Sequence, residues 1–595
     1  MGRQSALNFR NLSVGGFGFV AISGDAFPES LRQLDPFGER EGFGSFDQFR
    51  RHERIFRRHI AKCNGLILAA AEFIEIWDTE DGVPLIDGNS LRAAGQFARR
   101  SPIMRLMFRR LSFCVSLCFL WLNALAGAAE PRPNIVVVLA DDLGYGDLAC
   151  YGEPNVHTPH LDHFASEGLR FTDCYSASSS CSPARTGLMT GRTPYRVGTY
   201  VAIPFLSPIH LRTNEITVAT LLRDSGYATS HVGKWHLNGS FNLPGQPQPN
   251  DHGFEYWFST QNNCLPNHKD PYNFVRNGIP LGRIEGYGAD IVSREAIDWL
   301  RETRDKTKPF FLYVCFHEPH EPIATAPEYA ELYAKFPDPA QRAYLGNITQ
   351  MDAAFGRLMA ELDAQGLRDN TLILFTSDNG PAITRFHPYG STGPLRAKKG
   401  HQYDGGIRVP GIVRWPGKVT PGTVSSEPIS GVDLLPTLCE IAGVDAPKDR
   451  ALDGASILSA LEGGRIRRTK PLYWQYNRSA SKMKVAMRDG DWKMLAELDA
   501  PAPRSGADIT ELQMRALKQA NLTGFELYNV RFDVGEIQEL SIEEPKQFAT
   551  MRKKLISFYR EVQNENPVWP VWKSPRYEQK RIEWPEYKAL IKPPK

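Results

Sequence analysis

The chain has 595 residues, 42% of them hydrophobic and 11% aromatic, too long for one ordinary domain and too rich in apolar side chains for wholesale disorder. Its 70 Lys+Arg against 67 Asp+Glu give a formal charge of +3, which argues against a dedicated nucleic-acid or anionic-membrane binder while allowing a local basic pocket. Nine cysteines over this length exclude a disulfide-dense scaffold.

The first hundred residues read unlike the rest, with Gly-Phe punctuation at 15–19, an Arg-rich run at 50–54 and two short apolar stretches at 66–71 and 73–77. A basic segment at 104–110 then leads into an apolar run at 111–125 and Ala126-Gly127-Ala128-Ala129. Basic start, apolar middle and small residues at the end are the pattern of a secretory signal peptide, and the run is short for a membrane span. Its place at 104 has two readings. Synthesis begins at Met104 or Met107 and residues 1–103 are a mis-assigned or disordered extension, or the run anchors a small cytoplasmic domain. The small-residue end favours cleavage near Ala129, and with it an exported protein, periplasmic or secreted, with no stable membrane span. Beyond Ala129 the basic and acidic side chains are equal in number. Besides Cys181, five cysteines follow (Cys150, Cys174, Cys264, Cys315, Cys439), an odd number that leaves at least one unpaired in any monomer.

From Asn134 strands and helices alternate. Ile135-Val136-Val137-Val138-Leu139-Ala140 is a continuous apolar run, as expected of a parallel strand buried on both faces. Residues 309–316, 371–377 and 412–415 read as further strands of this type, and 161–167, 289–301 and 340–364 as helices. The pattern implies an α/β fold with a mostly parallel central sheet flanked by helices over 130–463. After Gly463-Gly464 the strand-like pieces are short (472–476, 484–488, 492–495, 525–528), followed by a helix at 544–562 and a Pro/Trp-rich tail. Residues 464–595 are therefore read as a small α+β domain with an antiparallel sheet.

In open α/β sheets chemistry collects beyond the carboxyl ends of the strands. The first strand runs into Asp141-Asp142-Leu143-Gly144, and the strand at 371–377 ends in Asp378-Asn379-Gly380. Each group alone reads as a turn cap. Together, three carboxylates and one amide oxygen make a hard-oxygen site suited to Ca²⁺ or Mg²⁺ and poorly suited to zinc. In Cys181-Ser182-Pro183-Ala184-Arg185, Pro183 suits the first turn of a helix, so Cys181 falls at an anion-ready helix N-terminus with Arg185 one turn on. A lone cysteine is commonly a small core residue, but this one sits among polar neighbours. After a strand at 228–232, alternation puts Lys234 and His236 on one side, a fixed cation and a titratable base. Phe316-His317-Glu318-Pro319-His320-Glu321-Pro322 follows another strand, and Leu395-Arg396-Ala397-Lys398-Lys399-Gly400 opens a Gly-rich loop. Singly these last three are ordinary loop features. Converging, they describe a pocket for a tetrahedral oxyanion ester.

These residues resemble the type I sulfatases of the alkaline phosphatase superfamily. Cys181-x-Pro183-x-Arg185 with Thr190-Gly191-Arg192 resembles the signature at which a cysteine is oxidised to formylglycine. Asp141-Asp142-Leu143-Gly144-Tyr145-Gly146-Asp147, Gly233-Lys234-Trp235-His236, Asp378-Asn379-Gly380 and Gly406-Ile407-Arg408-Val409-Pro410 resemble the other blocks, in family order over about 134–492. The resemblance implies one Ca²⁺ held by Asp141, Asp142, Asp378, Asn379 and the modified Cys181, and hydrolysis of a sulfate monoester. One hydroxyl of the hydrated formylglycine, oriented by Asp378 and Arg185, would attack sulfur, and His236 would take the proton of the second as sulfate leaves. Lys234 and Lys399 would neutralise the sulfate oxygens, and Lys399 with a histidine would assist the leaving oxygen. The implied catalytic set is Cys181, Arg185, Lys234, His236, His320 and Lys399, with Lys234, His320 and Lys399 on the substrate. His317 competes with His320, and strand spacing with the following Glu-Pro favours His320; Lys398 competes with Lys399, which directly precedes Gly400. Ala184 stands where the family commonly has Ser, and Asn238 where it has Gly.

The resemblance also implies a sulfatase-maturing, formylglycine-generating enzyme as a partner, and no nucleic acid. Two other readings compete: a phosphonate monoester or phosphodiester hydrolase of the same superfamily, and a catalytically silent protein that holds sulfated glycans. The calcium-type ligand set and the presence of every charged block weigh against them. The expected substrate is a carbohydrate sulfate ester of galactosamine type, with Tyr195, Tyr200, Trp257 and Tyr403 as candidates for stacking on a sugar ring.

Overall fold

The computed structural model describes residues 12–14, 17–19, 132–476, 483–500, 508–576, 580–586 and 588. The extension at 1–103 and the signal-like segment at 104–129 thus lie outside the described residues, apart from two short paired strands at Leu12–Val14 and Phe17–Phe19. Beyond them the elements follow the alternation legible in the sequence. The strands are β1 (Asn134–Ala140), β2 (Leu169–Phe171), β3 (Ala228–Lys234), β4 (Tyr256–Thr260), β5 (Val275–Arg276), β6 (Ile279–Pro280), β7 (Phe310–Cys315), β8 (Thr371–Ser377), β9 (Gly411–Arg414) and β10 (Thr423–Ser425). They form one sheet in the order β10-β2-β9-β8-β1-β7-β3-β4-β5-β6. The central run β8-β1-β7-β3-β4 is parallel, and both flanks carry antiparallel pairs.

β1 explains why its sequence is apolar without alternation. Val136 and Val138 face one core with Leu312, Val314, Ile373 and Phe375, under Ile291 and Val292 of α3 (Gly288–Asp298) and Ile348, Met351 and Phe355 of α4 (Pro339–Ala364). Ile135, Val137 and Leu139 face the other, under Leu188 and Met189 of α2 (Cys181–Thr190) and Leu435 and Leu438 of α5 (Leu434–Ala442). Helices on both faces leave no wet side for a polar residue to occupy. The helix read at 161–167 is α1 (Pro159–Ser166), opened by its proline.

One strand departs from expectation. The apolar run at 412–415 reads as another parallel strand, yet β9 runs antiparallel to both β8 and β2. A run buried on both faces looks the same in either direction, so its composition carries no polarity. All six described cysteines are free, in keeping with the odd count besides Cys181.

After residue 463, β11 (Leu472–Tyr476), β12 (Lys484–Asp489), β13 (Trp492–Leu498) and β14 (Leu522–Asn529) form an antiparallel meander. One face is covered by α6 (Pro545–Glu565), whose Met551, Leu555, Phe558, Tyr559 and Val562 meet Val485, Met487 and Met494. The other face, with Trp474, Ala486 and Leu495, packs on Tyr175, Tyr403 and Ile407 of the preceding domain. No helix among the described residues is long and apolar enough to cross a membrane.

His252 is buried against Trp235, and its Nε2 donates to the Leu211 carbonyl. Burial lowers its pKa to about 4. A folded-state pKa below the unfolded value near 6.5 contributes stability that is full above pH 6.5 and is lost as pH falls towards 4. H252Q keeps a donor and removes the titration. Between pH 7 and 4 the parent should lose about 3 kcal/mol more stability than H252Q, read from urea midpoints at each pH.

Candidate active site

The carboxyl ends of β1, β3, β7 and β8 lie side by side, and the loops leaving them build one polar cluster. β1 delivers Asp141 and Asp142, β8 delivers Asp378 and Asn379, β3 ends in Lys234, and His317 to His320 follow β7. Backbone bonds tie these exits together: Asp141 N donates to Glu318 O (3.0 Å) and Asp378 N to Ala140 O (3.1 Å).

α2 starts at Cys181 with Ser180 as its N-cap residue, so Cys181 and Arg185 sit one turn apart as their spacing requires. Arg185, fully buried, points Nε and Nη2 at Asp378 Oδ2 (3.1 and 2.8 Å) and Nη1 at the Lys234 carbonyl (2.8 Å). Lys234 Nζ meets Asp141 Oδ2 at 2.5 Å and Asn263 Oδ1 at 3.1 Å. Lys399 Nζ meets Asp142 Oδ1 at 2.5 Å and Cys181 Sγ at 3.3 Å. Three carboxylates thus face three fixed cations in a nearly dry site.

The electrostatics follow from that pairing. Burial alone would raise the Asp141 carboxyl, but Lys234 foremost, then His320, Arg185 and Lys399, hold it well below its ordinary range. Against burial, Asp142 holds the Lys399 ammonium well above its usual value. Burial pushes the Cys181 thiol up to about 12 despite both lysines, so it is neutral. Burial, then Lys234 and Arg185, keep His236 neutral as well.

The hydrogen bonds also fix which ring nitrogen carries the proton. His236 Nε2 lies 3.1 Å from the Ile203 carbonyl, which can only accept, so Nδ1 is the basic nitrogen, and it is buried without a partner. His320 Nδ1 faces the Glu321 carbonyl, leaving Nε2 as the lone pair, 3.5 Å from Asp142 Oδ2. His317 is wholly buried, bonded to Thr260 Oγ1 at 2.7 Å and packed edge-on to Phe274. Of the twin triplets, His320 is the one that faces the carboxylates. Lys398 turns away to the Ile383 carbonyl, which leaves Lys399 in the cluster.

Within this cluster, among the described residues, the buried oxygens Asp141 Oδ1, Asp142 Oδ2 and Asn379 Oδ1 have no hydrogen-bond donor. Ligand atoms of Asp141, Asp142, Cys181 and His320 all lie within 4.8 Å of one another. Orphaned oxygens from three residues in a dry site fit a hard cation. Asp378 differs from the others in already accepting bonds, two from Arg185 at Oδ2 and one from the Asp142 amide at Oδ1 (3.2 Å), which leaves Oδ1 one lone pair for a cation.

Two expectations require correction. Strand alternation does not carry through to His236: β3 runs on to Lys234, and both Gly233 (φ 107°) and His236 (φ 56°) are left-handed, so the chain turns there. The aromatics read as sugar-stacking candidates are core residues. Tyr195, Tyr200, Trp257 and Tyr403 are each at most 9% exposed. Asn263, the second partner of Lys234, was not singled out from the sequence. Its signal was position, just beyond the carboxyl end of β4. Gly233 itself permits the close packing of β3 on β7: a Cβ there would lie 1.9 Å from the Cys315 carbonyl oxygen. G233A should therefore cost about 2–3 kcal/mol in a urea unfolding titration, since the obstacle is backbone and the φ is unfavourable for any side chain.

Residues 133–444 match the family model described as Sulfatase. The chain belongs to the sulfatase family. This sulfatase also matches, over 398–565, the model for the C-terminal part of N-sulphoglucosamine sulphohydrolase. It is 37% identical over 401 residues to human arylsulfatase A, covering 62% of this chain and 76% of that one. It is 35% identical over 395 residues to dog N-acetylgalactosamine-6-sulfatase, covering 61% and 71%. Among solved structures it resembles Ps i-CgsB in complex with k-i-k-neocarrahexaose, with a TM-score of 0.65, 26% identity and coverage of 78% and 100%. The fold is alkaline-phosphatase-like, and the protein is an enzyme of sulfate ester hydrolysis.

Proposed function

We propose that this sulfatase cleaves a sulfate monoester of a carbohydrate, using formylglycine made from Cys181 and one Ca²⁺ held among Asp141, Asp142, Asn379, Asp378 and the modified residue 181. The observation that carries the metal is the trio of donorless buried oxygens. The hydrated aldehyde would supply an oxygen nucleophile, and the cation would acidify it and draw charge from the sulfate oxygens. The chain's own residues do the rest. Arg185 fixes Asp378 and, through the Lys234 carbonyl, the end of β3. Lys234 and Lys399 present ammonium groups to the anion. His236 accepts a proton at Nδ1, and its burial keeps it neutral and ready to do so. Lys399 donates a proton to the leaving oxygen, and His320 joins it through Nε2 once that nitrogen has taken up a proton.

Charge bookkeeping supports the reading. Asp141, Asp142 and Asp378 balance Arg185, Lys234 and Lys399, so a divalent cation would give the cluster a positive surplus that a sulfate monoester anion offsets. The carbohydrate preference is supported by the neocarrahexaose complex and by the N-acetylgalactosamine-6-sulfatase relative. Export after cleavage near Ala129 and dependence on a maturing enzyme belong to the same proposal.

Peptide mass spectrometry of protein from a modifying host tests it. The peptide containing position 181 should be about 18 Da lighter than its cysteine form, and the mature N-terminus should fall near Ala129. Added Ca²⁺ should raise the melting temperature of the chelated protein, which is independent of turnover. An unmodified thiol at 181 in such a host sinks the nucleophile, and a melting temperature indifferent to Ca²⁺ sinks the metal.

A further inference from the structure

The last described stretch of the chain lies against two loops that each touch the active site. Glu583 N donates to the Pro266 carbonyl (3.1 Å), and Asn267 Nδ2 donates to Glu583 O (2.8 Å). That loop begins with Asn263, the partner of Lys234. On the other side, the Trp584 ring lies 4.9 Å from the Phe386 ring. Phe386 belongs to the loop leaving Asn379, whose Thr384 hydroxyl donates to the Glu321 carboxylate next to His320 and whose Ile383 carbonyl accepts from Lys398. The tail therefore bridges the Lys234 side of the mouth and the His320 side.

Two cations are gathered on that bridge. Lys588 Nζ lies 4.1 Å from the Trp584 ring centre and 4.8 Å from that of Phe386, and the Arg385 guanidinium lies 4.5 Å from Phe386. Neither makes an ion pair with an acidic residue among the described residues. Burial, with the nearby Arg385 charge, lowers the Lys588 pKa, and the Glu321 carboxylate opposes them. Burial, with the Asp142 charge, raises the Glu321 carboxyl against the Thr384 hydrogen bond and the Lys399 and Lys588 ammonium groups. Clamping the tail by cation–π contact explains one cation on the aromatic pair. It leaves unexplained why a second like charge shares the pair when the one acidic group acting on Lys588, Glu321, is already bonded to the Thr384 hydroxyl. One carboxylate faces two cations there, and an anion arriving with the substrate would offset the second.

We propose that Arg385 and Lys588, held on the Phe386–Trp584 pair, bind a second anionic group of a sulfated oligosaccharide, on the sugar adjoining the one whose sulfate is cleaved. The proposal rests on the carbohydrate reading above. It makes the tail a determinant of substrate choice outside the reacting atoms.

The test compares matured enzyme with K588A, R385A and the double variant on two probes, 4-nitrophenyl sulfate and chondroitin 6-sulfate tetrasaccharides, with melting curves to verify folding. The double variant should show a KM for the tetrasaccharide about tenfold higher, equivalent to about 1.4 kcal/mol, with kcat changed less than about twofold. Kinetics on 4-nitrophenyl sulfate should be unchanged. The charge-keeping R385K/K588R should return the parent KM. Equal losses on both probes would mean that the tail only braces the loops, and an unchanged tetrasaccharide KM would leave the cations without a ligand; either overturns the subsite alone. A parent enzyme that cleaves 4-nitrophenyl sulfate and neither binds nor cleaves the tetrasaccharide overturns the carbohydrate reading and the subsite together.

Discussion

C181A should abolish sulfate release, lowering kcat on an aryl sulfate by about 10⁴-fold or more, while the melting temperature stays close to that of the parent. The two halves of this result have separate causes. The Cys181 side chain is small, and its one polar contact is the 3.3 Å approach of Lys399, which keeps its stronger partner Asp142 at 2.5 Å after the substitution. Loss of a contact of that kind costs about 1 kcal/mol. Activity, in contrast, depends on an oxygen nucleophile at the start of α2, which alanine cannot provide. C181S separates the chemistry further. A serine hydroxyl can attack sulfur once but has no second hydroxyl to expel sulfate, so a single stoichiometric burst, followed by no turnover, is the expected course. Steady turnover by C181A would remove position 181 from the reaction.

R185A should be as damaging to the fold as to the chemistry. Arg185 makes three hydrogen bonds from a fully buried position, two of them to Asp378 Oδ2. Its removal leaves Asp378 buried without its cation and the Lys234 carbonyl without its donor. Breaking a buried pair by deleting one partner costs about 3–5 kcal/mol, which thermal or urea unfolding would register. The diagnostic comparison is the double variant R185A/D378N. Removing the stranded charge should recover about 1–2 kcal/mol of the single variant's loss, whereas independent sites would add. R185K should fall between, because an ammonium keeps the charge and loses the planar fork. If R185A and D378N losses simply add, the pair is not the structural unit described.

Much of the site was legible because its residues lie at strand ends within short sequence blocks. Asp141 and Asp142 follow an unmistakable buried strand, Asp378 and Asn379 follow another, and the interval from Cys181 to Arg185 is one helical turn. What composition could not convey was orientation over distance. Asn263 reaches Lys234 from a loop after β4, and nothing local distinguishes it from Asn262. His317 and His320 share a triplet, and only the course of the chain beyond β7 sends one against Phe274 and the other towards Asp142. The aromatics misread as a sugar platform failed for a related reason: ring count along a sequence does not say which rings are spent on the core. Strand polarity at β9 was invisible because burial on both faces erases the pattern that polarity would leave.

The division near residue 463 has a consequence for how this chain can be cut. The four-stranded sheet that follows has no face to spare, since α6 lies on one side and Tyr175, Tyr403 and Ile407 on the other. Trp474 Nε1 donates to the Ser176 carbonyl, and Lys493, wholly buried, pairs with Asp404 of the catalytic domain. Arg488 reaches across to Asp173 in the same way. A chain ended at 463 would present that aromatic face to water and leave Asp173 and Asp404 to share Arg408 alone, and the remainder would present Trp474 and leave the Lys493 ammonium with Glu536 alone. The change of architecture is therefore a seam in the drawing of the molecule, and the two parts share one fate when it unfolds.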